Sequence, residues 1–423
     1  MVALASCKEE AKPTNEVEKI PGIVLANMDT TQNPKSDFYN YVNGNWMKFT
    51  EIPDDRTSWG GFSVLRKSTD EDVLKILATA KESGNYAPDT DQAKALAIFD
   101  TKLDTTARNK AGIAPLQSAF EAIASVKNLK DLQTVLATNA AVSSPFLNIG
   151  AGADLNNSSM NAVYLGANGL GLPDRDFYLE EDEKSVEIRE EYKKHVSKML
   201  QKLGDSEADA TKAADKILAL ETQLAEPRLN KVERRDARNY NNPRTIAEVD
   251  KMMSTIDVKK LISDLGITKK FDTLLVTQLR YTEALDKFLK TTPIEDIKTL
   301  VRWDTFNSAA GKLTTEIETA DWEFYSKYLR GAKEQRAADE RALATVNGTV
   351  GEALGQLYVD AKFPPEAKAK AELMIANVID AFKERISVLD WMSDSTKTKA
   401  IEKLDKFTVK IAYPDKWEDY STM

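Results

Sequence analysis

A chain of 423 residues, 42% hydrophobic and 30% charged, can bury a large core and form more than one domain. Its net charge of -9 is spread along the chain, which argues against nucleic acid as a partner, because that binding needs a basic footprint. Cys7 and His195 are the sole cysteine and histidine, which excludes an intrachain disulfide and any zinc site built on several thiolates or imidazoles.

Residues 1–36 lack periodicity and carry Pro13, Pro21 and Pro34, so they read as tether and loop, with order beginning near Asp37. Within them Leu4-Ala-Ser-Cys7 has the form of a bacterial lipobox, and a polar stretch follows. A lipoprotein signal needs a basic start and an apolar segment of about 7–15 residues. Only six residues precede Cys7 and none is basic, so lipidation of Cys7 requires a start upstream of Met1. The plain alternative is an unstructured N-terminus with an incidental cysteine. Next, Tyr39, Tyr41, Trp46, Trp59 and Phe62 crowd a segment holding Gly44, Gly60 and Gly61, which reads as core packing under a loop.

From Val64 the spacing predicts helices. Val73, Leu74, Ile76, Leu77 and Ala80 mark one buried face behind the acidic start Asp70-Glu-Asp72. Asp91 through Leu103 and Leu129 through Leu136 give two more. Between Pro145 and Gly166 the pattern changes: Phe146–Ile149 and Ala162–Leu165 read as short strands around a polar loop, ended by Gly169, Gly171 and Pro173. Leu172–Asp176 reads as a turn held by Asp and Arg side chains.

Helices return at 181–203 and 206–225, and again through Ile294–Ala310 and Thr315–Leu329. Gly348 and Gly351 interrupt a run that resumes through Tyr358, and Pro364-Pro365 starts a fresh helix. There Met374, Val378, Phe382, Ile386 and Leu389 form one apolar stripe, expected to be buried. Thr408–Ala412 alternates like a strand, and Trp391 and Trp417 read as packing residues. No fixed-period repeat is seen, which argues against a helical solenoid. Helices should therefore fill over half of residues 60–400.

Complete catalytic sets are missing. Glu191 and His195 stand at i and i+4, but Lys193, Lys194 and Lys198 surround them, so the pair reads as a solvated helix face. No Gly-x-Ser-x-Gly elbow, Walker loop or dinucleotide fingerprint occurs.

Four blocks do carry a resemblance. They are Asp37-Phe-Tyr-Asn-Tyr-Val-Asn-Gly-Asn-Trp46 with Glu51-Ile-Pro-Asp-Asp55, and Gly169-Leu-Gly-Leu-Pro-Asp-Arg-Asp-Phe-Tyr178. The others are Leu357-Tyr-Val with Phe363-Pro-Pro-Glu-Ala367, and Leu389-Asp-Trp-Met-Ser393 through Lys410-Ile-Ala-Tyr-Pro-Asp-Lys-Trp417. In this order they resemble the N-terminal portion of the neprilysin and endothelin-converting-enzyme family of zinc endopeptidases. The resemblance implies a mainly α fold: a multi-helix lobe of a two-lobed zinc metallopeptidase, with a few short β-strands and part of the catalytic lobe. It divides the chain into a tether at 1–36, a strip of the catalytic lobe at 37–69, a helical lobe with linking helices at 70–404, and the start of a return into the catalytic lobe at 405–423.

The same resemblance implies peptide hydrolysis by zinc-activated water inside an enclosed cavity. The family's His-Glu-x-x-His occurs nowhere in these 423 residues, so no catalytic or metal-binding residue is assigned and the chain alone is expected to be inactive. Zinc would belong to the full-length enzyme, and a C-terminal catalytic segment would be this chain's partner alongside peptide substrates. By motif, Phe62 and Arg66 fall on positions that help form substrate subsites, where a guanidinium can hold a peptide carboxylate. A further family arginine is replaced by Ser58, with Arg56 two residues earlier. Export, with possible membrane anchoring through a lipid on Cys7, completes the expectation. The alternative is a non-catalytic helical module of the same ancestry that binds peptides or proteins.

Overall fold

The computed structural model describes residues 22–423. Cys7 and most of the tether lie outside them. Helices account for 62% of the chain, as the apolar periodicity predicts. Their starts follow local chemistry. The side chains of Asp37, Thr90, Asp182 and Ser206 each accept from a backbone N–H in the first turn of the helix they precede, satisfying donors that the helix leaves free. Thr245 and Glu248 do so reciprocally in a capping box.

Two apolar cores result. The larger gathers residues from Leu116 to Phe324, with Tyr192, Trp303, Phe306, Met199 and Ile217 fully buried. The smaller unites Val73, Leu77 and Ala80 of the Gly61–Ser83 helix with Ala95 of Asp91–Leu103 and with Leu343, Val346, Leu354 and Leu357 of Ala338–Lys362. Residues 61–69 and 70–83 thus form a single helix. Ala338–Lys362 is continuous except for non-helical torsions at Val350, between the two glycines expected to interrupt it.

A four-stranded sheet lies against the larger core. Strands β1 (Leu147–Ala153) and β2 (Asn161–Ala167) pair antiparallel where the sequence predicts two short strands around a polar loop, each running longer than the four residues read from the sequence. β3 (Pro243–Thr245) and β4 (Thr273–Val276) complete the order β1-β2-β4-β3, with β2 and β4 parallel. These last two strands are short, and their pairing depends on distant segments.

Several expectations are corrected. Order begins before Asp37: Asp29 N–H donates to Tyr41 O at 3.0 Å and Asn45 Nδ2 to Met28 O at 2.7 Å. Gly44 permits this, because a Cβ there would come within 2.7 Å of Asp29 Cβ. The first aromatic block is a helix, Phe38–Phe49, with no buried residue, rather than core beneath a loop. Phe38, Tyr39, Phe49 and Phe62 are exposed, and Tyr41, Trp46 and Trp59 are half-buried.

The stripe from Met374 to Leu389 is likewise uncovered over its first three residues, while Ile386 and Leu389 are half-buried. Pro365–Ser387 is one helix, but Met374, Val378 and Phe382 are exposed because no element among the described residues packs on that face. Thr408–Ala412 forms no strand, having no partner backbone to pair with. Trp417 does pack, stacking on Tyr413 with ring centroids 6.0 Å apart, whereas Trp391 is exposed.

Candidate functional site

Of the two motif-derived positions, one reaches a cavity. The first turns of Gly61–Ser83, the loop 55–58 and the segment 322–341 enclose about 470 Å³. Arg66 lines it, with Ser58 and Arg56, whereas Phe62, one helical turn earlier, points to solvent at 91% exposure. The backbone fixes the far wall: Asp54 O accepts from the N–H groups of Lys333 and Glu334 at 2.8 and 3.0 Å, and Lys333 Nζ reaches Asp54 Oδ1 at 2.8 Å.

Cationic side chains dominate the lining. Arg56, Arg66, Lys67, Arg330, Arg336 and Arg341 face three carboxylates, Asp55, Asp70 and Glu334. Arg56 is matched by Asp55 and by Glu340, the latter at 2.7 Å. Arg341 Nε donates to Glu318 at 3.1 Å. Among the described residues Arg66, Lys67, Arg330 and Arg336 form no ion pair, so they are available to an anionic group. Burial raises Asp70 above the usual carboxylate range, opposed by Arg66 and aided by Glu340. Arg330, Arg336, Arg341 and Trp322 join from more than 250 residues away in sequence, and no local spacing marks them.

Behind this wall, Glu318 holds Lys102 and Arg108, each at 2.8 Å, as well as Arg341. Burial alone would raise the Glu318 carboxyl. Hydrogen bonds from Lys102 and Arg108 outweigh it and hold the group below its ordinary range.

His195 is not on a solvated face. It is buried, stacked on Phe324 with ring centroids 4.6 Å apart, and edge-on to Trp303 and Tyr325. Burial, with a smaller contribution from Lys198, pulls its pKa down to about 3. The signal was present in the sequence: His195 continues the stripe of Ile188, Tyr192 and Met199 at helical spacing.

Glu221 is a second functional-looking group that local patterning hides. It accepts from Gly171 N–H at 3.1 Å and from the Tyr178 hydroxyl at 2.9 Å. It fastens the Gly169–Tyr178 block to the Glu207–Ala225 helix. Gly171 is required there, because any Cβ would collide with the Tyr192 hydroxyl. The turn itself is held as expected, with Asp174 Oδ1 accepting from Asp176 N–H at 3.1 Å and Arg234 paired to Asp174.

Comparison with known proteins identifies the fold. Residues 34–414 match the family model for peptidase family M13. This chain belongs to that family. The zinc metalloprotease Zmp1 of Mycobacterium tuberculosis, in complex with inhibitor, superposes on 95% of this M13 chain with a TM-score of 0.87 and 32% identity; the match covers 60% of Zmp1. PepO of Lactobacillus rhamnosis shares the fold at a TM-score of 0.81 and 21% identity, over 91% of this chain and 60% of its own. Human endothelin-converting enzyme 1 is 25% identical over 93% of this chain and 52% of its own length. The M13 chain described here therefore spans about half the length of that curated relative.

Zmp1 is by name a zinc metalloprotease, and that metal needs several imidazole, thiolate or carboxylate donors brought together. The described residues contain no group of three His, Cys, Asp or Glu side chains that could hold a metal ion. His195 is enclosed by aromatic rings, with Nε2 buried and unpartnered and no carboxylate beside it. These residues do not fit a zinc site.

Proposed function

We propose that this chain is the N-terminal part of a neprilysin-like zinc metalloendopeptidase, supplying the helical wall and a basic peptide-binding cavity. The zinc-binding segment would lie outside these 423 residues. The observation that carries the reading is the family match over residues 34–414. It is supported by the uncovered apolar side chains at 38–65 and 373–409, which flank in sequence the residues of the two buried cores. Apolar faces of that extent call for a partner, and the catalytic segment of the same enzyme is the one proposed. Arg66, with Arg330 and Arg336, would hold a peptide carboxylate, and Phe62 would meet the substrate or the missing segment.

The purified chain tests this directly. It should carry no stoichiometric zinc by elemental analysis and show no chelator-sensitive peptide hydrolysis. Adding the catalytic segment in trans should protect residues 38–65 and 373–409 from hydrogen exchange. Zinc-dependent cleavage by the chain alone would reject the proposal. A partner segment that leaves both regions unprotected would favour a non-catalytic module instead.

Export and lipid attachment at Cys7 belong to the same proposal. No helix among the described residues is long and apolar enough to cross a membrane, and the anchor proposed is a lipid on Cys7. Fractionation of cells producing the precursor should place it in the membrane fraction and its Cys7→Ser variant out of it. Identical fractionation of the two would reject lipid attachment.

A further inference from the structure

A second cavity, of about 280 Å³, opens where the turn after β2 meets the segment that follows the Glu207–Ala225 helix. It shares no residue with the cavity that holds Arg66. Arg175, Arg228 and Arg234 line it, with Asp174 as the one carboxylate of the lining.

The hydrogen bonding of these arginines is incomplete. Arg228 donates from Nη1 to Asn168 O at 2.7 Å and from Nε to Leu224 O at 3.1 Å, and its guanidinium lies over the Tyr281 ring. Its Nη2 is buried without an acceptor. Arg175 donates from Nη2 to Glu226 O at 3.1 Å, and its Nε is likewise buried and unpartnered. Only Arg234 is matched to a carboxylate, Asp174.

Buried N–H groups are ordinarily satisfied, and an orphaned one on a cation is costly. Neutral carbonyl oxygens accept hydrogen bonds from Arg175 and Arg228 but leave their charge uncompensated. A ligand with two or more anionic oxygens in the cavity they line would supply that charge.

We propose that this cavity is an anion site that takes a small oxyanion, either a carboxylate or a phosphate. Arg228 and Arg175 supply fixed positive charge at the wall, tied down by backbone carbonyls. Arg234 is the adjustable member, shared between Asp174 and the ligand. The site stands independently of the peptidase reading.

Calorimetry on the full chain with inorganic phosphate, and separately with a C-terminally blocked acetyl-aspartyl peptide, tests the proposal. Arg234→Gln should weaken binding about tenfold, the loss of one charge-assisted contact. Asp174→Asn should strengthen it several-fold by freeing Arg234. Arg228→Lys, which keeps the charge but loses the fork, should weaken it with circular dichroism unchanged. Lys269→Gln, on the exposed surface, should have no effect. The bound anion should also raise the melting temperature in proportion to ln(1 + [L]/Kd). Binding of phosphate alone assigns a free inorganic anion, and tighter binding of the aspartyl peptide assigns a peptide carboxylate. The proposal falls if neither anion binds, if Arg234→Gln and Asp174→Asn leave affinity unchanged, or if Lys269→Gln weakens it equally.

Discussion

The Tyr178 hydroxyl donates to Glu221 Oε2 at 2.9 Å and accepts from Leu172 N–H at 2.7 Å, so one buried phenol joins the Gly169–Tyr178 block to a helix 43 residues on. Burial pushes the Glu221 carboxyl up to about 7, against hydrogen bonds from Tyr178, Tyr192 and the Gly171 N–H that lower it. The folded state thus holds this proton more tightly than the unfolded chain does. The stabilisation is fully present below pH 4.5 and is lost as pH rises through about 7. Denaturant unfolding at a series of pH values should show wild type losing roughly 3 kcal/mol relative to Glu221→Gln across that window. A constant difference between the two proteins would contradict it.

His195 titrates in the opposite sense. Its folded pKa is depressed to about 3 by burial, so its contribution is present above pH 6.5 and is lost as pH falls toward 3. The proton NMR signal of His195 should therefore show no titration between pH 5 and 8. His195→Phe should reduce the loss of stability between pH 6.5 and 4. An ordinary imidazole titration near 6.5 would place the ring in solvent.

Breaking the Glu318 cluster should be expensive. The side chains of Lys102 and Glu318 are 7% and 6% exposed, so Glu318→Gln leaves Lys102 and Arg108 buried without their carboxylate. The expected loss is about 3–5 kcal/mol in denaturant unfolding. Asp296→Asn, which removes the surface pair with Lys216, should change stability by less than about 1 kcal/mol.

Leu77 and Phe382 make a matched comparison of apolar residues on helices. Leu77 is 1% exposed and Phe382 57% exposed. Leu77→Ala should cost about 2–5 kcal/mol, by lost burial and the cavity left behind. Phe382→Ser should cost under about 0.5 kcal/mol in the isolated chain and reduce its self-association in sedimentation. Equal destabilisation by the two would mean the 365–387 face is covered.

Helix positions, the β1–β2 hairpin and the family were legible in the sequence because each rests on local information. Asp182 and Ser206 cap their helices through bonds three residues long, and two short apolar runs around a polar loop mark β1 and β2. The four signature blocks likewise named the M13 family, and one of them led to Arg66. Other features needed the tertiary structure, because periodicity shows that a face is apolar without showing what covers it. Ile217 and Phe382 sit on similar stripes, yet one is enclosed by the larger core and the other faces solvent. His195 lies among lysines in sequence, but its helix turns it onto Phe324. β3 and β4 are too short to show a pattern and exist through pairing with each other and with β2. The charge of the 470 Å³ cavity was equally hidden, since Arg66 meets Arg330 and Arg336 only after the chain has folded through both cores. Sequence fixes the conformations that neighbouring residues impose on one another; burial, pKa and site composition depend on contacts across hundreds of residues, which only folding creates.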